Sequence, residues 1–194
     1  MNKSLWIGVL LAGGVAFSVP AHAGDQGAML GNTCAGCHGL KGASAGETMP
    51  IIAGLPRDFI YTAMQEFREG TRSSTIMGRI AKGYNDTQLA AMSDFFASQK
   101  WVPAAQPADQ AVLKRGEKLH LKRCEACHRD NGASQALDMQ PLAGQWAGYL
   151  GIYMDTCRDT GWKNRHPNAM TVLCNDLGAE DVSALVQFYA SQNK

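Results

Sequence analysis

Two stretches decide how this chain is read: NTCAGCHGLKGAS, Asn32 to Ser44, and KRCEACHRDNGAS, Lys122 to Ser134. Each holds Cys-x-x-Cys-His followed by Gly-Ala-Ser, and the two histidines, His38 and His128, stand 90 residues apart. Cys-x-x-Cys alone serves redox dithiols, zinc sites and cofactor attachment alike. The adjoining histidine decides among them. In c-type haem attachment two thiols add to the porphyrin vinyl groups and the next imidazole becomes the proximal iron ligand. A zinc site built from Cys34, Cys37, Cys124 and Cys127 would leave both histidines without a role. A thioredoxin-like dithiol needs a βαβ frame that this sequence lacks. Two covalently bound haem c groups are therefore expected, one on Cys34, Cys37 and His38, the other on Cys124, Cys127 and His128.

The N-terminus bears on compartment. Lys3 precedes an almost wholly apolar run from Leu5 to Phe17, and Ala21-His22-Ala23 is a small-x-small cleavage site. The run is short for a bilayer span. Residues 1–23 are read as a secretory signal peptide, which sends the mature chain to the periplasm with no membrane span. Removal of Lys3 leaves 17 basic against 17 acidic residues. Such a balance carries no nucleic-acid or polybasic membrane footprint.

The repeat extends beyond the motif. IAGLPRDFIYTAMQEFR (Ile52 to Arg68) lies over LAGQWAGYLGIYMDTCR (Leu142 to Arg158) at an offset of 90, and DFFASQ (Asp94) over QFYASQ (Gln187) at 93. Three residues are thus added in the second copy. The expected domains are 24–102 and 111–194, joined by the Pro- and Ala-rich linker 103–110. Both read as helical. Phe59, Ile60, Ala63, Met64 and Phe67 form one apolar stripe after Pro56, and Gly70 ends it. Asn85 and Gln88 are placed to form a capping box, and Val182, Leu185, Val186 and Tyr189 repeat the stripe that follows it. Hairpin signals are absent, so the expected class is all-α.

A six-coordinate haem needs a second axial ligand, and Met thioether is the common one in small electron carriers. Met77 and Met170 each lie 21 residues before a matching serine, Ser98 and Ser191, in polar segments that read as loops. They are the expected axial ligands; Met64 and Met154, on helical stripes, read as core. His166 is the alternative in the second copy. His120 has Leu30 opposite it and reads as a surface residue. Pro50 and Pro141 mark backbone carbonyls able to orient the proximal imidazoles. Arg79, Tyr84 and Trp146 are candidates for the haem propionates. The two remaining cysteines, Cys157 and Cys174, bracket Met170. In an exported chain a disulfide is the expected outcome, with a copper site or free thiols as alternatives.

On these motifs the chain resembles the tandem dihaem cytochromes c of bacterial periplasms. STIMGRIAKGY (Ser74 to Tyr84), with CAGCHG and LAGQW, makes it similar within them to the cytochrome subunit of flavocytochrome c sulfide dehydrogenase. Cys157 and Cys174 depart from that pattern. The resemblance implies two class I cytochrome c-like domains related by a pseudo-twofold axis. It also implies a separate FAD-bearing flavoprotein that oxidises sulfide to sulfur or polysulfide, with a downstream acceptor such as a small cytochrome c. This chain has no dinucleotide-binding glycine fingerprint, so FAD belongs to the partner alone and this chain is not the catalyst. A free-standing carrier feeding a terminal oxidase is the first alternative. A peroxidase or thiosulfate-oxidising haem enzyme is the second.

Overall fold

The computed structural model describes residues 23–104, 106–136, 139–160 and 168–193. Among these, all regular structure is helical. Residues 1–22, all but the last of the expected signal peptide 1–23, lie outside the described residues.

The first half comprises α1 (Ala23–Asn32), α2 (Ala35–His38), α3 (Arg57–Glu69), α4 (Met77–Ala81) and α5 (Asp86–Ala97). Pro56 sits one residue before α3, at the N-cap, where its missing N–H leaves no helical bond unmade. Gly70 closes α3 in the left-handed region, at φ 76° and ψ 12°, which glycine adopts without a Cβ clash. The Asn85–Gln88 capping box opens α5, each side chain accepting from the other's backbone N–H at 2.9 and 3.0 Å. Leu55, Phe59, Ile60 and Phe96 form the first core.

The second half comprises α6 (Gln110–Arg123), α7 (Ala147–Thr160), α8 (Asn168–Asp176) and α9 (Ala179–Ala190). Its core joins Leu150, Leu177, Val182, Leu185, Val186, Phe188 and Tyr189. The repeat is visible in the backbone itself. The Gly42 carbonyl accepts from Ile52 and Ala53, and that of Gly132 from Leu142 and Ala143. Gly54 donates to Phe96, and Gly144 to Tyr189, both at 2.8 Å. Even the turns match, with φ of 56° at both Lys41 and Asn131.

In each half the helix that leads into the motif crosses the last helix at a glycine. A Cβ on Gly27 would stand 2.6 Å from the Ala91 carbonyl, and one on Gly116 would stand 2.3 Å from that of Ala184. Backbones this close leave no room for a side chain. This contact corrects the sequence register. Gly27 and Gly116 are 89 residues apart, so the second copy carries one extra residue before its motif. The counterpart of His120 is Gly31, not Leu30. Gly31 makes room for the Phe95 ring; His120 fills the same place with its own ring.

The segment read as a linker is packed rather than loose. Ala104 donates to the Gly144 carbonyl at 2.7 Å and Gln106 to that of Ala190 at 3.0 Å, while Gln106 Oε1 accepts from Ala147. The halves also meet directly. The buried Gln145 side chain accepts from Ile51 N–H and donates to Ile51 C=O, both at 3.0 Å. Trp146 Nε1 donates to the Ser44 carbonyl, and Tyr149 N–H to that of Glu47, both at 3.1 Å. Arg72 of the first half lies over the Tyr153 ring of the second at 5.4 Å and donates to its hydroxyl.

Overpacking a crossing of this kind costs ~1–3 kcal/mol. Gly116→Ala is expected to lower stability by about that amount in a denaturant titration of the full chain, whereas Gly36→Ala, whose Cβ meets open space, is expected to leave the midpoint in place.

Candidate haem-binding sites

The first motif forms its own turn. Cys37 and His38 both donate backbone N–H groups to the Cys34 carbonyl, at 3.2 and 2.9 Å, which starts α2. Gly39 follows at φ 72°, a left-handed conformation that lets the chain leave directly after the histidine. The second motif repeats the turn, with Cys127 and His128 donating to Cys124 at 3.1 and 2.8 Å.

His38 is buried, and its Nδ1 lies 2.9 Å from the Pro50 carbonyl oxygen. A carbonyl only accepts, so Nδ1 carries the hydrogen and Nε2 is left with its lone pair. Burial holds His38 below the ordinary histidine range despite the Pro50 bond. His128 is lowered too, first by burial and then by the nearby His120. Both rings are therefore neutral imidazoles, the form that binds a metal. Pro50 corresponds, at an offset of 90, to Gln140; Pro141 corresponds to Ile51 and is not its equivalent.

The six cysteines divide cleanly. Cys34, Cys37, Cys124 and Cys127 are free thiols, while Cys157 and Cys174 are joined in a disulfide and wholly buried between α7 and α8. Burial pushes the Cys34 and Cys124 thiols up, which keeps them protonated. Two free thiols and a neutral imidazole in one helical turn, present twice, match the donor set that c-type haem requires. Among the described residues no group of three or more His, Cys, Asp or Glu side chains is placed to hold a bare metal ion.

The methionines sort by packing. Met64 is packed on the first core and Met154 on the second, as core residues. Met77 and Met170 are half-buried and belong to neither cluster. They are not in loops, however. Met77 is the first residue of α4, where Ser74 Oγ accepts from the Gly78 N–H at 2.9 Å, and Met170 lies inside α8. Short helices in polar sequence are capped locally rather than marked by an apolar stripe, which is why the pattern read as loop. His166 lies outside the described residues.

Among the propionate candidates, Trp146 has its indole N–H committed to Ser44, and exposed Arg79 donates to the Thr75 carbonyl. The Tyr84 hydroxyl lies 3.1 Å from Thr33 Oγ1, next to Cys34. Sequence reasoning misplaced His120. Far from being a surface residue, it is fully buried, between Tyr189 at 2.9 Å and the Glu125 carboxylate. Its spacing of four from Gly116 was the available signal, since that places both residues on the helix face that meets α9.

Residues 25–100 match the family model described as cytochrome c. The chain is 29% identical to cytochrome c4 of Azotobacter vinelandii, over 97% of this chain and 98% of that one. It is 28% identical to the thiosulfate dehydrogenase electron acceptor of Stutzerimonas stutzeri, covering 81% of this chain and 78% of that protein. A shorter match of 39% identity, to the cytochrome subunit of sulfide dehydrogenase of Chlorobaculum tepidum, covers 38% of this chain and 66% of that one. The structure of reduced cytochrome c4 from Pseudomonas stutzeri superposes with a TM-score of 0.77 at 24% identity, over 87% of this chain and 98% of that one. The fold is that of tandem cytochrome c domains, and residues 25–100 carry a cytochrome c domain. No helix among the described residues is long and apolar enough to cross a membrane.

The disulfide closes a separation of 17 residues. The chain-entropy model assigns a loop of this size ~3 kcal/mol. Thiol labelling of haem-loaded protein, denatured without reductant, should find no free cysteine, and Cys157→Ala with Cys174→Ala should lower stability by about that amount.

Proposed function

We propose that this chain is a dihaem, c4-like cytochrome and the periplasmic electron-accepting partner of a flavoprotein that oxidises sulfide. The observation that carries the haem part of the reading is the hydrogen bond from His38, the histidine of a duplicated attachment motif, to the Pro50 carbonyl, which leaves the Nε2 lone pair free to bind a metal. In this reading Cys34 and Cys37 anchor one haem and Cys124 and Cys127 the other. His38 with Met77, and His128 with Met170, supply the iron ligands. Haem so ligated supplies one-electron oxidation and reduction at a potential raised by the thioether. The chain's own part is to exclude water from each site, fix the imidazoles and present a docking face.

The partner reading rests on STIMGRIAKGY, and the 39% identical stretch shared with a sulfide dehydrogenase cytochrome subunit supports it. In that segment Ile76 and Ile80, at 41% and 38% exposure, flank Met77 on α4 and offer apolar contact area beside the first site. The near-neutral charge of the mature chain favours a lasting apolar contact over charge-steered encounters. A second reading has its own support. Similarity to a thiosulfate dehydrogenase electron acceptor runs over most of both chains, so a thiosulfate-oxidising enzyme is the alternative donor.

Purification from the native host decides between these donors by identifying the partner and assaying it for flavin. The mature protein should carry two haems that acid-acetone does not extract. Its near-infrared sulfur-to-ferric-iron band should correspond to two haems, and Met77→Ala should halve it. A high-spin haem in the unaltered protein would remove one methionine from the ligand set.

Ile76→Asp with Ile80→Asp should weaken association with the flavoprotein by about tenfold or more, as loss of central apolar contacts does. It should slow sulfide-dependent haem reduction in step, while Val172→Asp should change neither. Reduction by sulfide at the same rate without any flavoprotein would make the chain itself the enzyme.

A further inference from the structure

Pro50 and Ile51 share one planar peptide unit, and that unit is hydrogen-bonded on both sides. Its carbonyl oxygen, on Pro50, accepts from His38 Nδ1 at 2.9 Å. Its N–H, on Ile51, donates to the Gln145 side-chain oxygen at 3.0 Å. The unit is trans, so the two bonds leave it in opposite directions. Gln145 belongs to the second half, and both it and Ile51 are only 1% exposed. Chemistry fixes how its amide is turned. The N–H groups of Ile51 and Trp146, the latter at 3.1 Å, converge on one atom, which must be the oxygen. The amide nitrogen donates to the Ile51 carbonyl at 3.0 Å. That carbonyl lies in the next peptide unit, whose N–H on Ile52 donates at 2.9 Å to Gly42, in the turn that follows His38. One side chain thus closes two hydrogen-bonded runs, and both end at the first attachment motif.

A peptide unit transmits polarisation, because its resonance moves charge from nitrogen to oxygen. An acceptor on the N–H favours the charge-separated form and makes the carbonyl oxygen a stronger acceptor in turn. Such cooperativity strengthens a hydrogen bond by roughly 10–30%. Here the bond so strengthened is the one from His38 Nδ1. A stronger pull on that hydrogen leaves the imidazole richer in electrons and Nε2 a better donor to iron. Burial of both residues keeps bulk water from substituting for the amide.

We propose that Gln145 is a positioning residue for the first haem, acting from the other half of the chain through the Pro50–Ile51 peptide on His38. It strengthens the His38 hydrogen bond, holds the imidazole in one orientation and favours ferric iron at that site. The inference rests on the two-haem reading above. Leu55 stands at the equivalent position of the first half, at an offset of 90, and has no polar atom with which to return the contact. The first site is therefore complete only when the second half is docked on it. Gln135 provides a comparison. Its side chain also crosses the boundary, donating to the Gly54 carbonyl at 3.0 Å, but that carbonyl is not part of the unit that His38 engages.

The test is NMR of the haem-loaded full chain in its diamagnetic ferrous form, following the His38 Nδ1 proton. In the unaltered protein that proton and the Ile51 amide proton should lose protection from exchange in one common opening. Gln145→Met keeps the length of the side chain and removes the acceptor, and Gln145→Leu copies Leu55. In either variant the His38 Nδ1 proton should move upfield and exchange about tenfold faster, the equivalent of one lost hydrogen bond, while the His128 proton stays in place. The ferric-to-ferrous ratio of the first haem at fixed poise should fall about threefold, or ~28 mV at ~59 mV per tenfold. Gln145→Glu, which as a neutral acid makes the same two bonds, should keep the His38 signal where it is in the unaltered protein. Gln135→Ala removes a contact between the halves and should not move that signal. A His38 proton that exchanges while Ile51 stays protected, one unmoved in Gln145→Met, or one moved as far in Gln135→Ala would overturn the proposal. A purified chain without two haems would instead overturn the reading on which it rests.

Discussion

Each half of this protein is organised by one close approach, the crossing of the helix that enters the motif with the helix that ends the half. Gly27 against Ala91, and Gly116 against Ala184, bring backbone to backbone with no side chain between. Everything that the sites need follows from that contact. It fixes the start of each Cys-x-x-Cys-His turn and sets the last helix beside it. The loop whose carbonyl receives His38 hangs from the same frame, through Gly54 N–H on the Phe96 carbonyl. A domain of this size buries little core for its length, so a crossing that fixes two helices and a loop at once carries much of the order.

The halves share this frame and differ in what they hang on it. Gln145 satisfies both backbone groups of Ile51 across the boundary, whereas its counterpart in the first half, Leu55, has no group to return the contact and is spent on the core. The loop carrying the His38 acceptor is therefore held by the second half as well as the first. The second half in turn has the buried disulfide and the His120–Tyr189 pair. A duplicated sequence thus yields two sites of the same kind in different dielectric and hydrogen-bond surroundings.

Much was legible before any coordinates. Helical periodicity, the Gly70 stop and the Asn85–Gln88 box each arise from contacts within a few residues, and each appears as read. The cysteine division also followed from spacing, since four cysteines belonged to the motif and two bracketed one segment. The failures have a common cause. His120 was placed outside because polarity was weighed without its neighbours; a ring nitrogen facing Tyr189 and another facing Glu125 make burial tolerable, and both partners come from elsewhere in the chain. Met77 and Met170 read as loop residues because their helices are short and lie in polar sequence, where periodicity has too few residues to register; at Met77 the start is held by Ser74 accepting from Gly78 N–H.

The sequence by itself determined the attachment chemistry, the helical class and the duplication, because these depend on residue type at fixed short spacing. Tertiary structure decided the register between the copies and the contacts by which Gln145 joins the halves at Ile51. It also decided the packing of the 103–110 segment and the burial of His120 between Tyr189 and Glu125. Those depend on which surfaces meet across 10 to 100 residues of chain. A one-residue shift such as that between Gly116 and Cys124 leaves no mark on composition, yet it moves every side chain on the helix face that the partner helix sees.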